Sequence, residues 1–224
     1  MPPSSIPSRP GPKAIRILAL DAALASCSAG LVVDDVCIAA RTEHGARRHA
    51  ALAPMVDALM PGRLDLVAVT VGPGSFTGLR AAIALAHGIA LGAGVPVVAV
   101  TVAEALADAL PALAGRALWV AIDSRRNRVF LQRDGMISSV ALDDLPRPAG
   151  AVAIAGDAAR EVASRLAARG HDVMLTNATT PMPRHIAVVG RRRANAELSP
   201  LPVLPTYIDP PEARESQLRP PPAE

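Results

Sequence analysis

Aromatic side chains are nearly missing: 224 residues hold two phenylalanines, one tyrosine and one tryptophan, at Phe76, Phe130, Tyr207 and Trp119. Reading single-stranded RNA by stacking its bases on aromatic platforms takes more than this, so that class of binder is disfavoured. Lysine is scarce too. Lys13 stands alone beside 22 arginines, and the 23 cations nearly balance 20 anions, for a net charge of +3. Such a balance permits contact with nucleic acid without demanding it. The two cysteines, Cys27 and Cys37, cannot frame a disulfide scaffold in a chain this long and point to a reducing compartment. On a hairpin turning at Asp34-Asp35, Cys27 falls opposite Thr42 and Cys37 opposite Val32, so the two thiols do not pair.

Long unbroken apolar runs are also lacking. Arg9, Lys13 and Arg16 precede an apolar stretch at 17–25 that leads into Leu24-Ala25-Ser26-Cys27, a string like a lipoprotein processing box, but Asp21 interrupts it. Residues 81–103 carry no formal charge, yet Gly92, Gly94 and Pro96 break them into a helix and a strand. Neither reads as an export signal or a membrane span, and the expected location is the cytoplasm.

Alanine, at 45 residues, and proline, at 22, are abundant. Five prolines in residues 1–13 and eight in 200–224 read as extended or disordered tails flanking a folded body. Inside that body, residues 15–21, 28–34 and 36–43 read as an antiparallel meander of three strands. A helix over 46–60 around a kinking Pro54, a buried strand over 64–71, a helix over 78–91, a strand over 97–100 and a helix over 103–113 follow. The second half repeats this more weakly, with a strand pair over 117–123 and 128–133, a strand over 151–155, a helix over 158–169, a strand over 171–175 and a last helix over 185–196. Each half opens with a strand ending in aspartate, Asp21 or Asp123. This predicts an α/β protein with the actin-like ATPase (ribonuclease-H-like) fold: two tandem lobes with mixed sheets, at 14–104 and 105–199, the second reduced.

The most informative string is GPGSFTGLR, from Gly72 to Arg80, lying between a buried strand and a helix. Gly72, Gly74 and Gly78 permit backbone conformations closed to other residues, and Ser75 or Thr77 can cap the helix. Free N–H groups at such a junction attract anions, so Gly72, Gly74, Ser75, Thr77, Gly78 and Arg80 form a candidate anion or nucleotide loop. A tight structural turn accounts for the same residues. The string lacks the Gly-Lys-Ser/Thr of a P-loop, the flanking glycines of a nucleophile elbow and the spacing of a dinucleotide fingerprint.

In its setting this string resembles the signature of the TsaB (YeaZ) family. The resemblance extends through ILALD at 17–21, His49, PMVDALM from Pro54, AAIALAHGIALGAGVPVV from Ala81, WVAIDSRRNRVF at 119–130 and PTYIDPPEAR from Pro205. It implies an actin-like fold without an active site of its own. It further implies a subunit that pairs with TsaD and recruits the ATPase TsaE, in a complex transferring threonylcarbamoyl to N6 of adenosine 37 in tRNAs that read ANN codons. No cofactor belongs to the chain itself on this reading. ATP or ADP would sit at an interface shared within the complex, and tRNA would be met only there.

The residues support this independently. The five histidines, His44, His49, His87, His171 and His185, contain no pair four apart, so the two-histidine metal site of a TsaD-like enzyme is not expected. The family's usual Asp-Thr-Ser is here Asp21-Ala22-Ala23, which removes two hydroxyls from a phosphate-binding turn and argues against a small-molecule kinase. The missing histidine pair argues against the other enzymatic alternative, a metallopeptidase. The family's second hairpin commonly reads Asp-Ala-Arg-x-Gly-Glu-Val-Tyr; here Asp123 to Phe130 replaces its Gly-Glu pair and its tyrosine.

Ala82, Ala86 and Ala90 form one small-residue stripe on the helix after the loop, and Ala84, Gly88 and Gly92 form another. With Met55, Leu59 and Met60 of the preceding helix, and His87, the first stripe is the expected partner surface. It would receive TsaD or a second copy of the chain. Arg125, Arg126 and Arg128, and the run Arg191-Arg192-Arg193, are candidate phosphate contacts, though charge runs of this kind more often form a solvated face.

Overall fold

The protein is described from a computed structural model over residues 14–45, 48–59, 62–110, 112–125 and 127–208. The expected N-terminal tail, residues 209–224 of the expected C-terminal tail, Met60 and Arg126 lie outside the described residues. The first sheet comprises β1 (Arg16–Asp21), β2 (Ser26–Val33), β3 (Val36–His44), β4 (Leu66–Thr70) and β5 (Val97–Val100), in the order β3-β2-β1-β4-β5. β1, β2 and β3 are antiparallel, whereas β4 and β5 run parallel to β1. The second sheet comprises β6 (Ala117–Arg125), β7 (Arg128–Arg133), β8 (Met136–Ala141), β9 (Val152–Ala155) and β10 (Val173–Leu175), in the order β10-β9-β6-β7-β8. Read from its meander edge, the second order repeats the first, with the same directions. The two lobes are therefore copies of one plan, and the fold is actin-like.

Alternation along β1 sorts the core into two layers. Leu18 and Leu20 pack with Val67 and Val69 under α1 (Leu52–Leu59) and α2 (Phe76–Ala93). Ile17 and Ala19 face the other way, with Ala68 and Val100, toward Ile186, Ala187 and Val189 of α5 (Pro183–Ala194). That helix follows the second lobe in the chain, yet it packs on the first sheet. A Cβ on Gly190 would lie 2.7 Å from that of Ala68, a measure of how closely helix and sheet approach. Ion pairs at Arg191 and Arg193 tie α5 down, whereas that of Arg192 reaches only the residues just past the helix. Arg191 holds both carboxylate oxygens of Asp35, at 3.0 and 2.6 Å, Arg192 pairs with Glu197, and Arg193 pairs with Glu104 on α3 (Val102–Asp108). A seam of Ala23, Leu24, Leu79, Val102 and Leu106 against Val120, Ile122 and Ala155 joins the lobes.

Several expectations change. The helix expected from residue 46 is a short 3-10 turn at Arg48–Ala51 followed by α1, so Pro54 sits in the first turn of α1, where its missing N–H costs no hydrogen bond within that helix. Cys27 pairs with Glu43 rather than Thr42, because a bulge between Leu31 and Val32 shifts the register, while Cys37 does oppose Val32. Both thiols are free. β8 was not anticipated. The helix expected over 103–113 is the shorter α3, and that over 158–169 is α4 (Ala159–Ala168). Residues 200–208, counted above with the tail, lie against the first lobe: Leu201 and Val203 pack on its core, and the Thr206 N–H donates to the Val71 carbonyl at 2.7 Å.

Candidate partner interface and inter-lobe cleft

The glycines of the 72–80 string are explained by packing. A Cβ on Gly74 would lie 2.2 Å from the carbonyl oxygen of Ala23, and one on Gly78 would lie 2.0 Å from that of Ala22. The Ser75 N–H donates to the Ala23 carbonyl at 2.6 Å, and the Ser75 hydroxyl accepts from Gly78 N–H at 3.3 Å as the N-cap of α2. The loop is thus clamped onto the turn that follows β1. The N–H groups of Ser75 and Gly78, both candidates for anion contact, already have internal partners. Gly72 sits at φ +111°, open to glycine and costly for other residues.

Beside this junction a cleft of about 670 Å³ opens between the lobes, lined by Leu24, Arg48, His49, Ser75, Thr77, Arg125 and Asp157 among others. Beneath it lies Asp21, fully buried, whose Oδ1 accepts from the Thr70 hydroxyl at 2.5 Å and from Ala23 N–H at 3.1 Å, while Oδ2 has no partner. Burial pushes its pKa up to about 6, against the pull of those two hydrogen bonds. Burial likewise raises Asp157, which accepts from Asp123 N–H at 2.9 Å, and burial beside Arg48 lowers His49. The cleft therefore carries buried acid but no hydroxyl at positions 22 and 23. Among the described residues no group of three or more His, Cys, Asp or Glu side chains is arranged to hold a metal. His185 is spent on Asp108, at 2.8 Å.

The two helices cover the sheet with the stripe first assigned to a partner. Met55, Leu59, Ala82, Ala86 and Ala90 are all buried in the first lobe's core, Ala82 and Ala86 completely, and this corrects their assignment to an interface. The physical reason lies in their neighbours: Leu79 and Ile83 share that face and carry it into the sheet. The opposite face is the free one. Ala84, His87, Gly88, Leu91 and Gly92 are exposed, Leu91 at 86%, and a Cβ on Gly88 or Gly92 would meet nothing within 4 Å. Exposed Ala53 and Asp57 of α1 border it, across a shallow groove shared with Ile89 and Gly92.

At the start of this face, two of the four aromatics meet around one cation. The Arg80 guanidinium lies 3.7 Å from the centre of the Phe76 ring, and its Nε donates to the Tyr207 hydroxyl at 2.8 Å. The two rings lie 5.6 Å apart, each about half exposed. Sequence reasoning placed Arg80 in an anion loop and missed Phe76 and Tyr207 altogether. The sequence separation of 127 between Arg80 and Tyr207 leaves no local signal for that contact.

The arginine clusters fare differently from one another. Arg125 faces the cleft, Arg128 is engaged with the hydroxyl and carbonyl of Ser139, and the 191–193 run is neutralised by Asp35, Glu197 and Glu104.

Residues 43–149 match a family model described as TsaD, tRNA N6-adenosine threonylcarbamoyltransferase. The chain is 32% identical over 217 residues to an uncharacterized protein of Mycobacterium tuberculosis, covering 88% of this chain and 93% of the relative. It is 34% identical over 131 residues to the tRNA threonylcarbamoyladenosine biosynthesis protein TsaB of Escherichia coli, a match that spans about half of each, 54% and 56%. Among solved structures, YeaZ from Pseudomonas aeruginosa superposes with a TM-score of 0.67 at 25% identity, over 86% of this chain and 99% of that one.

Proposed function

The chain belongs to the TsaB (YeaZ) family of tRNA threonylcarbamoyladenosine biosynthesis proteins, and from that premise we propose that it is the non-catalytic partner of TsaD. In this role it supports TsaD, helps to bring in TsaE, and meets tRNA only inside the assembled cytoplasmic complex. The chemistry, transfer of threonylcarbamoyl to N6 of adenosine 37, belongs to TsaD. Any ATP or ADP would lie at an interface of the complex.

The observation that carries this reading is the exposed face of α2. A helix of 18 residues that covers its own sheet with one side and presents Ala84, Gly88, Leu91 and Gly92 on the other has little reason to face water. Small residues there let a second helix approach to close range. The absence of hydroxyls at Ala22 and Ala23 beside the cleft supports a scaffold rather than a kinase.

Gly88→Arg places a charged side chain in open space on that face. The variant is expected to fold as the wild type does and to lose co-purification with TsaD from the same organism. Retained complex formation would overturn the docking face. Steady ATP turnover by the purified chain alone would overturn the scaffold reading.

A further inference from the structure

We propose that Arg80 is the charged anchor of this docking face and that it receives a carboxylate presented by the partner protein; this inference rests on the reading of α2 as the docking helix. Arg80 has no ion-pair partner among the described residues, in contrast to Arg191, Arg192 and Arg193. Its contacts are the Phe76 ring under the guanidinium and the Tyr207 hydroxyl on Nε. That arrangement fixes the side chain and leaves the two terminal nitrogens without an acceptor among the described residues. A planar cation held this way is prepared for a two-pronged hydrogen bond to a carboxylate, because the cost of ordering it has been met within the monomer.

Arg80, Ala84, Gly88 and Leu91 follow one another at spacings of four, four and three, so the cation opens the same helical face that carries the small residues. Within α1 and α2 themselves, the ionisable residues besides Arg80 are Asp57 and His87. The face is thus apolar along its length with one fixed positive charge at its start. Its complement is an apolar helical surface with an acidic residue at the matching end. Arg80 already covers one face of the Phe76 ring, which takes that face away from a stacking nucleobase.

The test is the affinity for purified TsaD of four variants, Gly88→Arg and three at Arg80 or Tyr207, each first shown to fold, at low and high salt. Arg80→Gln is expected to weaken binding about tenfold and to flatten its salt dependence. Arg80→Lys, which keeps the charge but loses the fork, should fall between. Tyr207→Phe, which removes only the hydroxyl that orients Arg80, should cost a few-fold. If Gly88→Arg abolishes binding while Arg80→Gln leaves it unchanged, the anchor is overturned and the docking face stands. If neither variant affects binding, both readings fail. Two further outcomes would overturn the anchor. A loss confined to tRNA binding by the assembled complex would assign Arg80 to a phosphate. A gain in TsaD affinity would assign it to the chain's own acidic segment at 209–224.

Discussion

Gly74 lies so close to the carbonyl oxygen of Ala23 that a methyl group on it would come within 2.2 Å of that oxygen. The distance gives this glycine a packing role. A loop built to wrap a phosphate keeps its glycines so that a ligand can approach, whereas here the approaching group is the chain's own turn after β1. Gly74→Ala and Gly78→Ala should therefore each destabilise the protein by about 1–3 kcal/mol, at Gly78 against the usual gain of Ala over Gly in a helix. For a chain of this length that is a fall in Tm of about 2–4 °C per kcal/mol. A melting curve unchanged in both variants would refute the clamp.

Gly88→Ala and Gly92→Ala should have the opposite sign. Both positions lie inside α2 with open space around them, so alanine loses less backbone entropy on folding and meets nothing. Each should stabilise the monomer by roughly 0.5–1 kcal/mol in urea unfolding. A loss of stability at either would mean that this face is covered in the isolated chain.

Ala86→Arg should fail to fold. Ala86 is completely buried against the first sheet, and a guanidinium there would be an unpaired charge in an apolar layer. Expression as an insoluble or molten chain, beside a well-folded Gly88→Arg, would place the two faces of α2 by experiment. A soluble Ala86→Arg with native near-ultraviolet dichroism would contradict the assignment.

Asp21 predicts a pH dependence. Its folded pKa of about 6 stands above the ordinary 3.8, so the folded state holds the proton more tightly than the unfolded one. This group's contribution to stability therefore declines as pH rises from about 4 to about 6 and is level above that. Asp21→Asn should remove that decline and stabilise the protein by roughly 1–2 kcal/mol at pH 7, with little difference at pH 4. Denaturant midpoints at the two pH values give the answer, and an unaltered pH profile would refute it.

Charge reversal at Arg193 should unfold before it informs on RNA. Its side chain is 7% exposed and bound to Glu104 and to the Ala99 carbonyl. Arg193→Glu would leave two carboxylates facing each other, at a cost of about 3 kcal/mol or more. Arg125, which lines the cleft without a described ion pair, is the better probe of phosphate contact.

The readable parts of the fold were those decided by neighbours in sequence. The Asp34-Asp35 turn, with both residues at positive φ, and the cap of α2 by Ser75 at one end and Gly94 at the other are local chemistry. β8 was readable in the same way and was missed: Asp134-Gly135, both at positive φ, is a strong two-residue hairpin signal between β7 and the run Met136–Ala141. What sequence could not decide were contacts made across the chain. The two small-residue stripes of α2 are nearly alike in composition, and only packing against the sheet tells them apart. The docking of α5 on the first lobe and the meeting of Arg80 with Tyr207 depend on a return of the chain that no local pattern announces.

That return has a consequence for how the protein is made. Ile17, Ala19, Ala68 and Val100 are covered by α5, and the core under α1 and α2 is closed in part by Leu201 and Val203. These covering residues are made after the strands of the second sheet. The N-terminal lobe is therefore translated first but finished only after the second lobe has emerged, with half of its sheet bare on the nascent chain in the meantime. A fragment ending at residue 104 would lack α5 and leave that face of the first sheet uncovered.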